Sequence, residues 1–222
     1  MSLRFPTLVF DIETLTDLKA GAHLHHLDLP EADVEQALTK IRRQESGSDF
    51  QRLPLHEIVC ISGLWIDEKG FRLFSFSREQ NTEAEMLAKF FSIFEKKQPT
   101  LVSWNGSQFD LSVILFRAMY HGLSAPSLFD QGEIDQQKRF NNYQNRYHHR
   151  HVDLMDVLSL YQARAAQPLD QIASFLGFPG KLGMDGSKVW EAWQNGEIAG
   201  IRDYCETDVM NTYLVSLRFR LM

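Results

Sequence analysis

Two carboxylates stand one residue apart at the end of a short apolar run, Thr7-Leu8-Val9-Phe10-Asp11-Ile12-Glu13-Thr14. Because side chains alternate between the two faces of a strand, Asp11 and Glu13 are expected to point the same way. Neighbouring carboxylates repel one another unless a cation pairs with them, and oxygen ligands of this kind suit hard divalent ions such as magnesium or manganese. An exposed strand end with two solvated acids is the alternative that these residues alone leave open.

A third acid, Asp110, stands between a short strand pattern at 101–104 and a helical apolar spacing that ends at Gly122. The residues between them, Asn105-Gly106-Ser107-Gln108-Phe109, begin with turn-forming types. Open α/β sheets place their binding sites at such strand-to-helix junctions. Aspartate also caps the start of a helix well, so a purely structural role for Asp110 stays open.

The last helical pattern covers 198–219 and carries Tyr204 and Asp208, which are four residues apart and therefore share one face. An adjacent apolar stripe, which includes Ile201 and Cys205, is expected to pack this helix against a sheet. The acid and the phenol are either a structural hydrogen-bonded pair or a metal ligand beside a group that positions a water.

The other apolar patterns predict the elements that must position these side chains. A turn at 67–70 joins two strand patterns into a hairpin, and a capping signal around Thr82 opens a helix with an aromatic buried face. Asp153 is expected to cap a later helix. The predicted strands and helices lie at 7–14, 57–66, 70–77, 82–94, 101–104, 111–122, 152–158, 168–175 and 198–219.

A polar interval at about 16–55 is predicted to be an insertion with a helix of its own, which begins after Pro30 and ends at Gly47. Three histidines precede that helix, and their close spacing raises the idea of a zinc site. No cysteine or further ligand motif accompanies them, so solvated loop histidines are the simpler interpretation. The three residues are His23, His25 and His26.

Charge is unevenly distributed along the 222 residues. A net charge of -6 argues against a protein that coats nucleic acid, which needs a basic surface, but it does not exclude a nuclease. Residues 136–151 contain four lysines and arginines, no acid, and several aromatic side chains and histidines. That mixture suits a surface that holds single-stranded nucleic acid, and a solvated loop is the alternative. The glycine-rich segment 180–188, with Lys181, is a weaker candidate for phosphate contact.

Cys60 and Cys205 lack metal-ligand spacing and are interpreted as free thiols of a reducing cytosol, with a disulfide as the alternative. The sequence has no run of about 18 apolar residues, and its first residues lead straight into a strand pattern. Neither a membrane span nor a signal peptide is therefore expected, and a cytoplasmic location is the expectation.

Three blocks in this order resemble the signature of the DEDD superfamily of 3′-5′ exonucleases: Asp11-Ile12-Glu13-Thr14, Asn105 through Phe109-Asp110, and Tyr204-x-x-x-Asp208. The tyrosine is typical of the tyrosine-type branch, because the histidine-type branch has its base at the position that Asp203 occupies here. Within that branch the chain is similar to the proofreading domain of family-B DNA polymerases and to the stand-alone bacterial proteins predicted to be related to it.

The resemblance implies an α/β, ribonuclease H-like fold: a mixed five-stranded sheet flanked by helices, in one exonuclease domain over 1–222 with a helical insertion after the first strand. The apolar patterns supply four of the five strands, and the fifth would lie near 147–152 or within 172–183. It also implies hydrolysis of phosphodiester bonds with two divalent ions, Mg²⁺ or Mn²⁺. Asp11 would contact both ions, Glu13 and Asp208 would hold one, and Asp110 the other. Tyr204 would orient the attacking water.

The implied substrate is the single-stranded 3′ end of a nucleic acid, with DNA expected. An RNA-trimming exoribonuclease and a non-catalytic nucleic-acid-binding module on the same fold are the alternatives. The residues expected to contact substrate are Thr14, Leu15, Asn105 and Phe109 around the terminal nucleotide, and Arg146, Arg150 and Lys181 on the phosphate backbone.

Overall fold

The sheet of this computed structural model has its longest pairing along its first strand. The structure describes residues 6–181, 183–184 and 186–222. The strands are β1 (Thr7–Thr16), β2 (His56–Asp67), β3 (Gly70–Ser77), β4 (Thr100–Ser103) and β5 (His151–Asp153). In the part of the chain that is described they form one five-stranded sheet of order β3-β2-β1-β4-β5. The pairs β1–β2 and β2–β3 are antiparallel, whereas β1–β4 and β4–β5 are parallel. The predicted mixed sheet is confirmed.

Strand β1 is longer than its apolar pattern predicts. It continues to Thr16, and its register against β2 shifts between Glu13 and Thr14, which marks a bulge. The prediction that the two carboxylates end the strand is therefore wrong, because three more residues pair with β2 after Glu13. Bulges commonly redirect side chains next to functional sites.

The two faces of β1 meet different helices. The helices in chain order are α1 (Leu18–Leu24), α2 (Glu31–Ser46), α3 (Glu83–Lys97), α4 (Asp110–Tyr120), α5 (Pro126–Phe129), α6 (Leu154–Leu158), α7 (Leu169–Phe175), α8 (Val189–Gln194) and α9 (Ile198–Arg220). On one face Leu8, Phe10 and Ile12 pack with the buried apolar residues of α3 and α4. On the other face Val9 and Leu15 pack with residues of α9. Alternation along β1 places Asp11 and Glu13 on this second face.

Local sequence signals account for most helix ends. Thr82 and Glu85 form the capping box at the start of α3. The face of α3 that carries Phe90 packs on the sheet, where the ring centres of Phe10 and Phe90 lie 5.4 Å apart. Asp153 caps α6, as predicted, through bonds from the amides of Met155 and Asp156. Helix α8, by contrast, was not predicted, and β5 falls at the first of the two positions considered.

The insertion contains two helices rather than one. The second is the predicted one and ends at Gly47, whose φ of 73° is in the left-handed region. The first, α1, is capped by Asp17 and packs so closely on α2 that a Cβ at Gly21 would lie 2.4 Å from Leu38 Cδ1. His23 lies in the exposed last turn of α1, so the prediction of a histidine loop is wrong there. Within the described residues the three histidines form no cluster that could hold a metal.

None of the helices in the described ranges combines the length and apolarity that crossing a bilayer requires.

Candidate active site

Acidic side chains from three distant parts of the chain meet on the α9 face of β1. The ligand atoms of Asp11, Glu13 and Cys205 lie within 4.8 Å of one another. Asp11 and Glu13 come from β1, and Cys205 comes from α9, where its thiol lies 3.6 Å from Asp11 Oδ2. The same-face orientation predicted for the two acids agrees with this geometry.

Asp110 is held against β1 by a tightly built turn. It is the first residue of α4. Burial raises the pKa of its carboxyl, and the nearby backbone amide of Ile12, the residue between the two acids of β1, opposes that rise. The turn needs an unusual backbone, since Asn105 has a φ of 64°. It also needs a glycine, because a Cβ at Gly106 would lie 2.3 Å from Ser103 Oγ.

Asp153 fixes the same turn from β5. Its two carboxylate oxygens accept hydrogen bonds from the backbone N–H groups of Asn105 and Ser107, each at 2.9 Å. The side chain is buried, so these bonds are shielded from water. Asp153 therefore serves α6 as a cap and the Asp110 turn as an anchor. The sequence indicated only the cap.

Helix α9 supplies the phenol and the fourth acid. Tyr204 and Asp208 are neighbours on one face of α9, as their four-residue spacing allows, and each acts on the pKa of the other. Lys181 lies beside them, with Nζ 5.9 Å from the centre of the Tyr204 ring. Asp203, by contrast, is exposed and bonded to Arg202. The position that a histidine-type enzyme would use is thus outside the cluster.

The carboxylates of the cluster are hard to ionise. Burial, followed by repulsion from the neighbouring acids, raises the pKa of Asp11 and of Glu13 well above the ordinary range. Burial also raises the pKa of Asp110 to about 7 and that of Asp208 to about 6. The positive charge of Lys181 opposes these shifts for Glu13 and Asp208. One lysine cannot balance four carboxylates, so the arrangement favours additional cations.

The donor set fits hard divalent cations. Four carboxylates provide only oxygen, which magnesium and manganese prefer. Cys205 is the one softer donor within reach among the described residues. Burial raises the pKa of its thiol, which favours the protonated form. Cys60 and Cys205 are both buried and free.

The residues expected to surround a terminal nucleotide adjoin the acids of this cluster in the chain. Thr14 directly follows Glu13, and Phe109 directly precedes Asp110. The Oδ1 atom of Asn105 is buried and has no hydrogen-bond partner within the described residues, so it is available to a ligand. Leu15 packs with Tyr204 and Cys205 in a buried cluster, which leaves its backbone rather than its side chain for contact.

Arg146 and Arg150 are not brought together with the carboxylates. Arg146 pairs with Asp156, and Arg150 donates a hydrogen bond to the Gln98 carbonyl at 3.0 Å, just before β4 begins. Because Asp110 follows the carboxyl end of β4, Arg150 lies at the opposite end of that strand. A role for these two arginines in substrate binding stays a prediction.

A buried ionic network connects helix α4 to the end of strand β1. The Arg117 guanidinium of α4 bonds both carboxylate oxygens of Glu83, at 2.8 and 2.6 Å, and one oxygen of Asp17, at 2.7 Å. Asp17 directly follows β1, so this network ties α4, which carries Asp110, to the end of the strand that carries Asp11. Nothing in the local sequence patterns indicated it.

The model of one protein family matches residues 48–222; the family is described as a predicted 3′-5′ exonuclease related to the exonuclease domain of PolB. Asp110, Tyr204 and Asp208 lie inside the matched residues, whereas Asp11 and Glu13 precede them. No curated protein matches the chain.

Among solved structures, the chain is similar to the family B DNA polymerase from the hyperthermophilic archaeon Pyrobaculum calidifontis, with a TM-score of 0.60 at 17% sequence identity. The likeness covers 98% of this chain and 24% of the polymerase chain, so this protein spans about a quarter of that polymerase's length. It shows the fold, which is the ribonuclease H-like fold of a polymerase exonuclease domain. Because the family model matches most of its length, this protein belongs to the family of predicted 3′-5′ exonucleases related to the exonuclease domain of PolB.

Proposed function

We propose that this protein is a metal-dependent 3′-5′ exonuclease that removes nucleotides from the 3′ end of single-stranded DNA, with its 222 residues acting as one domain. The observation that carries the proposal is the cluster itself. Four carboxylates and a tyrosine, from a strand, a strand-to-helix turn and a helix, converge in a buried setting that raises the pKa of every one of the carboxylates. Strongly perturbed titratable groups that meet in this way are typical of functional sites.

Two divalent cations, Mg²⁺ or Mn²⁺, are proposed as cofactors. Asp11, Glu13, Asp110 and Asp208 would hold them, because these four side chains offer oxygen donors and an excess of negative charge. When bound, such ions stabilise the attacking and leaving oxygens of a phosphodiester displacement.

Tyr204 acts as a hydrogen-bonding group rather than as a base. Burial, followed by the charges of Glu13, Asp208 and Asp11, raises the pKa of the phenol. The hydroxyl therefore stays protonated at neutral pH and keeps a proton to donate to Asp208 or to a water beside it. Its role is to orient that water toward the terminal phosphate.

The terminal nucleotide is proposed to lie against the groups that flank the acids. The unsatisfied Asn105 Oδ1 would accept a hydrogen bond from it, and the half-buried Phe109 ring would contact its base or sugar. The positive charge of Lys181 already opposes the rise in the pKa of Glu13 and Asp208, and it would attract the phosphate.

The test is a time course with 5′-labelled single-stranded DNA and RNA of one sequence, in Mg²⁺ or Mn²⁺, with an EDTA control. We expect a metal-dependent ladder that shortens from the 3′ end, faster for DNA. Asp208→Ala should abolish it, whereas Asp203→Ala, which removes an exposed acid of the same helix, should not.

The outcomes separate the candidate functions. A ladder with RNA alone would assign the protein to exoribonucleases. Intact oligonucleotides in every metal, with binding still measurable, would replace catalysis by a binding function.

A further inference from the structure

Three aromatic side chains form a cluster around Phe109, the residue that precedes Asp110, and two of them come from segments that no catalytic motif includes. The Phe50 ring centre lies 4.8 Å from that of His56 and 5.7 Å from that of Phe109. His56 and Phe109 meet edge to face, at 5.1 Å and 90°. Phe109 directly precedes Asp110, so the end of the insertion, at Phe50, contacts the residue next to that acid.

His56 is fixed in one orientation at the back of this cluster. Its Nε2 lies 3.2 Å from the Gln51 carbonyl, which can only accept, so Nε2 carries the proton. Nδ1 is then the acceptor, and the Thr14 hydroxyl donates to it at 2.9 Å. Burial lowers the pKa of His56, in keeping with a neutral ring. The histidine thus links the insertion to the residue that follows Glu13.

Phe50 is presented to solvent by a fixed backbone. Its carbonyl accepts a hydrogen bond from Arg42 Nε of α2 at 2.7 Å, and its amide donates to Ser48 Oγ at 3.1 Å. The residue is nevertheless 54% exposed. A large apolar ring that is held in place, still exposed, and in contact with the residue that precedes Asp110 is suited to contact a ligand rather than a core.

We propose that Phe50, supported by His56 and continuous with Phe109, is a stacking surface for an unpaired nucleobase at the 3′ end of the substrate. The inference rests on the proposed function and extends it, because it makes the insertion part of the substrate site. Aromatic side chains hold single strands in this way without regard to base identity, since every base has a flat π-face. The surface therefore selects unpaired ends and tolerates all four bases.

The first test removes the ring and the base in turn. Phe50→Ala should raise KM for a single-stranded oligonucleotide by roughly tenfold and leave kcat within about twofold, as expected for a stacking contact made before the chemical step. With the same oligonucleotide ending in an abasic nucleotide, Phe50→Ala and the parent should have the same KM. Phe50→Trp should restore KM on the normal substrate.

Phe71→Ala is the matched control, because Phe71 is 72% exposed but lies on β3 at the far edge of the sheet. It should leave KM unchanged on both substrates. An equal rise in KM for Phe50→Ala on the normal and the abasic substrate, or no rise on either, would overturn the proposal.

A second measurement does not depend on turnover. A 2-aminopurine base at the 3′ end loses fluorescence when it stacks, so titration of the labelled strand in EDTA reports the contact directly. We expect quenching with the parent protein and with Phe50→Trp, and about tenfold weaker quenching affinity with Phe50→Ala.

The two measurements separate the two proposals. Quenching that depends on Phe50, in a protein that degrades no oligonucleotide, would refute the exonuclease and keep the stacking surface. Degradation without any dependence on Phe50 would refute the stacking surface alone.

Discussion

The backbone amide of Ile12 lies close enough to the carboxyl of Asp110 to oppose the rise that burial causes in its pKa, and this proximity joins two acidic motifs about a hundred residues apart in the chain. Ile12 itself packs into the core on the α3 side of the sheet, so its amide cannot move independently of the core. Asp11 and Glu13, on either side of it, project to the other face. Asp110 is therefore close to the segment that carries both acids of β1.

Asp208→Asn is expected to abolish activity without a cost in stability. Nuclease activity should fall at least about a thousandfold, since the carboxylate is proposed to hold a metal ion. In EDTA at pH 8 the melting temperature should equal or exceed that of the parent, because the substitution removes one buried charge from a group of like charges. Calorimetry in EDTA measures the melting temperature and a nuclease assay in Mg²⁺ measures the activity, with Asp203→Asn as the control. A large drop in melting temperature would mean that the acid is structural.

Tyr204→Phe is expected to slow turnover by about ten- to a hundredfold and to leave metal binding intact. The phenol is proposed to orient water, and its raised pKa keeps it from acting as a base. The pH profile of kcat should therefore keep its shape in the variant. A profile that loses its alkaline limb would instead assign acid–base chemistry to the tyrosine. The Mn²⁺-dependent rise in melting temperature serves as the measure of metal binding.

The site could be predicted from the sequence because its spacings are local. Asp11 and Glu13 share a strand face, Tyr204 and Asp208 share a helix face, and the residues around Asp110 form a visible turn. Each pattern follows from the geometry of a single element. The buried aromatic face of α3 and its capping box were visible for the same reason.

What the sequence did not indicate depends on contacts between distant segments. Asp153 anchors the turn at Asn105, which lies 48 residues earlier, and no local pattern reports such a pair. Strand β5 has three residues, too few to show alternation, and it is defined by its pairing with β4. Helix α1 lacks a broad apolar stripe because it packs on α2 through a glycine, Gly21.

The metal-free protein should lose stability as the pH rises from about 4 to about 7. The folded-state pKa of Asp208 is raised to about 6 and that of Asp110 to about 7, both above the ordinary 3.8. The protonated forms are therefore favoured by folding, and this contribution disappears as the pH passes the folded-state pKa values.

Mg²⁺ should reverse this loss, because metal binding requires ionised carboxylates. We expect the rise in melting temperature on adding Mg²⁺ to be at least about 3 °C larger at pH 8 than at pH 5, which is what about one pKa unit represents for a chain of this size. Asp110→Asn combined with Asp208→Asn should flatten both profiles. An equal Mg²⁺ effect at the two pH values would contradict a metal site at these acids.

Arg117→Met is expected to destabilise the protein by about 3 to 5 kcal/mol, because it leaves Glu83 and Asp17 buried without their cation. For a chain of this size the melting temperature should fall by roughly 10 °C. Arg43→Met is the matched control: its pair with Asp49 is exposed, so the melting temperature should change much less than for Arg117→Met. Similar losses for the two variants would mean that the buried network adds nothing beyond a surface ion pair.

Lys181 acts on the acidic cluster, whereas Arg150 lies at the amino end of β4, and this separation makes their contributions to substrate binding distinguishable. Lys181 faces the acidic cluster, so Lys181→Ala should weaken the binding of even a trinucleotide and lower the salt slope of binding by about one. Arg150→Ala should leave the trinucleotide unaffected. Arg150→Ala should lower the salt slope of binding only for oligonucleotides long enough to reach from the acidic cluster to the amino end of β4. The measurement is the affinity for oligonucleotides of three and of twelve nucleotides over a series of salt concentrations. If Arg150→Ala has no effect at either length, the basic segment 136–151 is a solvated loop.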